Sequence, residues 1–202
     1  MKFKNIAMAM VFIANFAACS KDNNDKAHFS IDRNTSLLEW KGSATDHFHT
    51  GAFRVYGEAI AANGIVTGGT FTIPIASISN YDLPDSLKVQ LLDHLQNPDF
   101  FNAVIYPDAV FNLKNVTALS ETDTARAAGN NYRITGDFSM IGQTHPLSFP
   151  ARITLSPDSL QTTAAFKLNR LTWGMTSFND PSKPLYILPD VEIKLNIKAA
   201  TK

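Results

Sequence analysis

The sequence predicts an all-β protein, an antiparallel up-and-down sheet of about eight strands with one helix packed by it. Three observations carry this. Apolar and polar residues alternate at period two along most of the chain. Short turn signals separate the alternating runs, which marks a meander rather than a set of crossovers. Only one stretch, Asp85 to Phe101, has helical spacing. A single helix cannot cover the dry face of so many strands, and an open sheet of that size must curl or split. The dry faces therefore either line a barrel interior or pack as a sandwich, and a barrel of this strand number can hold one small ligand.

The elements follow in order. Residues 1–18 read as an export signal: Lys2 and Lys4 are basic, Ile6 to Ala14 form a short apolar run, and Ala17 and Ala18 are small. The run is shorter than the roughly 20 apolar residues of a membrane span. Cys19, the one cysteine, follows Phe16-Ala17-Ala18 and reads as a lipidation site, with residues 19–27 as a polar tether. The expected location is the cell envelope, lipid-anchored to a membrane, with the outer membrane favoured and the domain periplasmic or surface-exposed. Residues 28–202 form the folded domain.

Within it, Leu38, Trp40 and Gly42 alternate with Glu39 and Lys41. A long strand from Gly51 to Ala61 carries Phe53 and Val55 on one face. Asn63-Gly64 is a hairpin turn, since both residues tolerate positive φ. Ile65 to Ala76 returns with Phe71, Ile73 and Ile75 inward, and Pro74 marks an edge or bulge. The helix begins at Asp85 or Ser86 as cap, places Leu87, Leu91, His94 and Leu95 on one face, and stops before Pro98. Phe100 and Phe101 then point at something apolar. Phe111, Phe138, Phe149 and Phe166 sit on the inward faces of later strands, joined by a loop at 120–131, a turn at Gly142-Gln143 and another at Pro157-Asp158. Arg170 to Leu188 reads as a loop across one end, and Val191 to Ile197 as the closing strand.

Composition excludes several functions. Lys+Arg 18 balance Asp+Glu 18, so there is no basic face for nucleic acid. One cysteine excludes an internal disulfide and a thiolate metal cluster. No G-x-S-x-G, H-E-x-x-H or phosphate-cradling glycine loop occurs, and the reading is of a protein that is not an enzyme.

The blocks Ile31 to Trp40, His49-Thr50-Gly51, His94-Leu95 with Pro98-Asp99-Phe100-Phe101, Tyr106 to Phe111, Tyr132 to Phe138, Ile141 to Pro146, and Arg170 with Trp173-Gly174-Met175 occur in one order. In that order they resemble the YceI-like proteins, from about Phe29 to Ala199. The resemblance implies a lipocalin-like barrel whose cavity takes a long isoprenoid or similar amphiphile. It implies no cofactor.

Candidate ligand contacts are Trp40, His49, Phe53, Phe71, His94, Phe111, Phe138, Phe149, Phe166, Arg170 and Trp173. The aromatics would form the wall, where each enclosed isoprene unit is worth ~2–3 kcal/mol before ordering costs. His49 and His94 would pin the helix or touch a headgroup, and Arg170 or Lys167 would meet an anionic one. His47 and His49 share a face, and with His94 or His145 they are the one histidine grouping to weigh as a metal site, without a carboxylate pair to support it. The expected function is an envelope barrel that binds or carries an isoprenoid, quinone or fatty-acid-like molecule. The alternatives are an interaction or stress protein with a packed barrel, and a histidine-dependent metal protein or enzyme.

Overall fold

The computed structural model describes residues 26–202. The expected signal peptide, Cys19 and all but the end of the tether lie outside them. The strands are β1 (Ala27–Ile31), β2 (Leu37–Ser43), β3 (Phe48–Arg54), β4 (Tyr56–Ala62), β5 (Ile65–Pro74), β6 (Ser79–Asn80), β7 (Asp108–Ala118), β8 (Tyr132–Met140), β9 (Gln143–Leu155), β10 (Ser159–Asn169) and β11 (Asp190–Thr201). The helices are α1 (Asp85–Gln96) and a short α2 (Thr124–Ala127).

All strands belong to one antiparallel sheet in the order β1-β4-β5-β7-β8-β9-β10-β11-β2-β3-β6, and β1 also pairs with β11. That last pairing closes a ring of eight strands, so the fold is a closed, lipocalin-like barrel with β2, β3 and β6 as extensions. Closure is what the alternation required: it leaves no long edge and gives each strand one dry face.

The extensions arise where two staves break. β1 and β2 lie end to end along β11, Ile31 opposite Ala199 and Leu37 opposite Asn196. Ser36, fully buried, bridges the gap: its Oγ accepts from Lys198 N–H (3.0 Å) and donates to Lys198 O (3.1 Å). The expected long strand from Gly51 to Ala61 is likewise two, β3 and β4, broken at Val55, whose N–H donates to Ser36 O (3.2 Å). One residue thus stands in for a missing rung on both sides, its hydroxyl toward Lys198 and its carbonyl toward Val55, which is how a buried backbone break stays satisfied.

α1 ends at Gln96, as the stop before Pro98 required, because Asn97 precedes the proline and is extended. Several other expectations are corrected. Neither Asp85 nor Ser86 caps the start of α1: Pro84 occupies that position and no side chain accepts from the first turn. Asp85 instead meets Lys88 at 3.1 Å. Leu87 is 48% exposed, and no α1 residue is fully buried, so the helix is part of the rim and not of the core. The β8–β9 turn is Ile141-Gly142, both at positive φ (51° and 71°), with Met140 opposite Gln143. The loop 120–131 contains α2, capped by the Asp123 carboxylate accepting from Ala125 N–H (2.8 Å). Pro74 is the last residue of β5, so the missing donor falls at a strand end. Asn63 and Gly64 adopt φ 54° and 76°, as the hairpin reading requires.

Candidate functional site

The connections sort to two ends of the barrel. At one lie the 63–64 turn, the 119–131 loop, the 156–158 turn and the start of β1. At the other lie the 44–47 hairpin, the long β5–β7 connection containing α1, the 141–142 turn and the 170–189 loop. The first end is plugged: Phe29 is 1% exposed, and Ala59, Ala61, Ala151 and Ala199 are buried with it. Small side chains there let the barrel taper shut.

Above the plug is a cavity of about 350 Å³, within the range of small-molecule sites. Its walls are almost wholly apolar, and it reaches the surface at the second end, where His47 and Leu185 stand exposed and His94 is half-buried. Trp40, His49, Phe53, Phe71, His94, Phe111, Phe138, Phe149, Phe166 and Arg170 all border it.

Four phenylalanines form a belt round the wall. Phe149 and Phe166 stack at 4.4 Å, Phe111 lies 5.8 Å from Phe149, and Phe71 lies 6.3 Å from Phe111. β8 runs between β7 and β9, so Phe111 must reach across it. Gly136 makes this possible: a Cβ there would sit 2.5 Å from Phe111 Cζ. Trp40 lies over Gly51 in the same way, since a Cβ at Gly51 would meet the indole at 2.8 Å. Phe53 anchors the chain beyond α1 by an edge contact with Phe101 (5.5 Å).

Trp173 is a correction. It does not border the cavity. Its ring packs behind Phe138 (5.3 Å) and against His145 (5.6 Å), and its Nε1–H donates to Phe138 O (2.9 Å). The left-handed Gly174 ends its 3-10 turn, and it is the next residue, Met175, that borders the cavity. Trp173 therefore supports Phe138 without itself bordering the cavity. Lys167 is corrected too: it is exposed on the outer face, opposite Glu192, because it alternates with the inward Phe166 and Leu168.

Arg170 borders the cavity, but its guanidinium is turned to the backbone. It donates to the carbonyls of Leu188 (3.3 Å), Ser177 (3.0 Å), Ile187 (2.8 Å) and Met175. The residue is 2% exposed and has no carboxylate partner, and burial lowers its pKa from the usual arginine value. Four of its five donors thus hold the 174–189 loop across the mouth and are not free for a headgroup.

The histidines at the mouth have acidic partners. His49 Nδ1 lies 2.7 Å from Asp82 Oδ2, and Asp82 also accepts from Thr50 N–H (2.6 Å), Thr50 Oγ1 (3.1 Å) and Asn80 Nδ2 (3.0 Å). Burial alone would raise the Asp82 carboxyl. The hydrogen bonds from His49 and Thr50 outweigh it and hold the pKa at about 2. This cluster ties β3 to the segment leading into α1. At the far end of the helix, His94 Nε2 lies 3.3 Å from Asp99 Oδ2. Its ring meets Phe100 and Phe178 edge-on at 5.1 and 5.7 Å, while those two stack at 5.9 Å. His47 faces Asp46 (2.6 Å), and His145 lies outside this group beside Gln143 (3.3 Å). Among the described residues no three His, Cys, Asp or Glu side chains come together as a metal site.

Sequence reasoning missed Asp82, Phe178, Leu185 and Ile187. None lies in a periodic run, so only their folded positions reveal them. The pair Phe100-Phe101 carried its own signal, two adjacent aromatics after a helix stop, and both border the cavity.

Comparison with known proteins agrees with this architecture. Three solved structures resemble the chain: Burkholderia cenocepacia BcnA (18% identity, TM-score 0.65, covering 83% of this chain and 98% of that one); a Saccharophagus degradans domain described as polyisoprenoid-binding and implicated in plant cell wall breakdown (13%, 0.63, 86% and 98%); and a Campylobacter jejuni YceI protein (17%, 0.51, 100% and 91%). At these identities they speak to the fold alone. No curated protein matches the sequence. The model of the YceI-like domain matches residues 20–199, nearly the whole chain, and the protein therefore belongs to the YceI-like domain family.

Proposed function

We propose that this protein is a binding protein, not an enzyme, and that its barrel holds a long apolar molecule: an isoprenoid, an isoprenoid-tailed quinone or a fatty-acid-like chain. The observation that carries this is the cavity of about 350 Å³, walled by apolar side chains, whose one charged neighbour, Arg170, is turned to backbone carbonyls. Enclosing apolar surface is worth roughly 25 cal/mol per Å², so a hollow with an apolar wall favours a ligand with a large apolar surface. The Saccharophagus relative, described as polyisoprenoid-binding, supports the choice of ligand class. Mass spectrometry of lipid extracted from natively purified protein tests the reading. We expect a stoichiometric amphiphile, reduced when Phe149→Asp places a charge in the belt. Repeated recovery of none would overturn it.

The same proposal takes the chain to be exported and held in the cell envelope by a lipid on Cys19, with the outer membrane as the favoured site. The sequence before Cys19 and the polar residues after it support this. Cys19→Ser should move the protein from the membrane to the soluble fraction of fractionated cells. If the variant stays in the membrane fraction, the anchor is not at Cys19.

A further inference from the structure

We infer that the open end of the barrel docks on a neutral lipid bilayer, its apolar rim dipping among the acyl chains so that ligand moves between bilayer and cavity without crossing water. This rests on the cavity reading above and adds a surface and a partner to it.

The large apolar side chains that stand exposed among the described residues are not scattered. Apart from Ile65, all belong to segments of the open end. Val104 is 95% exposed and Ile105 64%, at the tip of the connection that follows α1. That tip is built: Ala103 N–H donates to Gln96 O, and the N–H groups of Ile105 and Tyr106 both donate to Asn102 O, each at 2.9 Å. Leu185 both borders the cavity and faces solvent. Leu188 follows the cavity-lining Ile187 and is held by its N–H donating to Ser43 O (2.8 Å). Leu87 lies one turn before the cavity-lining Leu91. The 185–188 segment and α1 therefore each place apolar side chains both at the mouth and in solvent, while Val104 and Ile105 stand wholly outward.

Three features favour a bilayer as the occupant. The rim is continuous with a cavity suited to molecules whose free aqueous concentration is negligible, so the source of ligand is a lipid phase. Its apolar groups stand on separate loop tips around an opening, whereas a protein interface is a packed core with a polar rim. Its cations are balanced: Lys41 is paired with Glu192 (3.3 Å), Lys88 with Asp85 (3.1 Å), and Lys183 shares its loop with Asp180. No basic patch is directed at anionic headgroups, so the contact is with neutral lipid and depends little on salt. β1 starts at Ala27, opposite Ala61 and close to the 63–64 turn, so the described chain begins at the plugged end.

The test uses the full chain carrying Cys19→Ser, with Val104→Cys as its only cysteine, labelled with an environment-sensitive fluorophore. Phosphatidylcholine vesicles should raise and blue-shift its emission at low and high salt alike. The same label at Ile65→Cys should stay unchanged. Val104 replaced as above in a chain that also carries Ile105→Asp should partition about tenfold more weakly. A silent label at 104, an equal response at 65, or a crosslink from 104 to a protein with no vesicle response would overturn the docking. The two readings separate: ligand recovered with a silent label removes only the docking, and a responding label with no ligand removes only the cavity reading.

Discussion

The two ends of this barrel are held by different chemistry. The plugged end is secured by polar clips: Ser36 on Lys198, and Asn131, whose Nδ2 donates to Ile153 O while its Oδ1 accepts from Ile153 N–H, both at 2.8 Å. Its interior is filled by Phe29 and small residues. The open end keeps its ladder in the β2–β3, β5–β7, β8–β9 and β10–β11 pairs, but β9 and β10 part beyond Ala151 and Ala164. It is held by the His49–Asp82 and His94–Asp99 pairs, by the Phe100–Phe178 stack and by the carbonyl cage round Arg170. A barrel that is to admit a ligand must be stable at one end without being filled at the other. Stability and access are therefore assigned to opposite ends.

Substitutions at the two ends should sharpen or break that contrast. Phe29→Ala empties the plug and should cost about 3–5 kcal/mol, read as a lower midpoint in urea unfolding. If it costs under about 1 kcal/mol, the plug is not where stability resides. Arg170→Met leaves carbonyls of Met175, Ser177, Ile187 and Leu188 without their donors, at about 2–4 kcal/mol in total. Proteolysis should then begin in the 174–189 loop, while a wild-type cleavage pattern would deny Arg170 its organising role.

The next effect is acid-dependent. The Asp82 carboxyl is depressed to about 2 from 3.8, so its contribution is present above pH ~3.8 and is lost as pH falls toward about 2. Asp82→Asn should remove about 1 kcal/mol at neutral pH, allowing for solvent screening, and flatten that acid limb. An acid limb identical to wild type would assign it to other carboxylates. The smallest effect is at Asp85. Because its side chain caps nothing and is fully in solvent, Asp85→Ala should change stability by less than about 0.5 kcal/mol, against ~1 kcal/mol for a working cap.

The difference between the ends is also a difference in legibility. Most strands of the wall could be read from their alternation, because a residue two positions along must face the same way; β1 was not, and β3 and β4 were read as one. The belt of Phe71, Phe111, Phe149 and Phe166 followed from that rule. Trp173 misled because it lies in an irregular turn, where position along the chain says nothing about facing. Arg170 was visible as a charge at the edge of the barrel, but its partners are four carbonyls, and backbone atoms carry no sequence signal. The break at Ser36 and Val55 was invisible for the same reason: one serine hydroxyl looks like any other until the chain from Lys198 lies beside it.

Local periodicity, turn chemistry and the count of dry faces determined by themselves that this chain is an antiparallel sheet obliged to close or split, and that its oily sides face inward. Those are properties of neighbours in sequence. Whether the inside is hollow, which end is stopped up, and which polar groups guard the opening were decided only by the tertiary structure. They depend on side chains brought together from opposite parts of the chain, and on whether their volumes fill the space that closure creates.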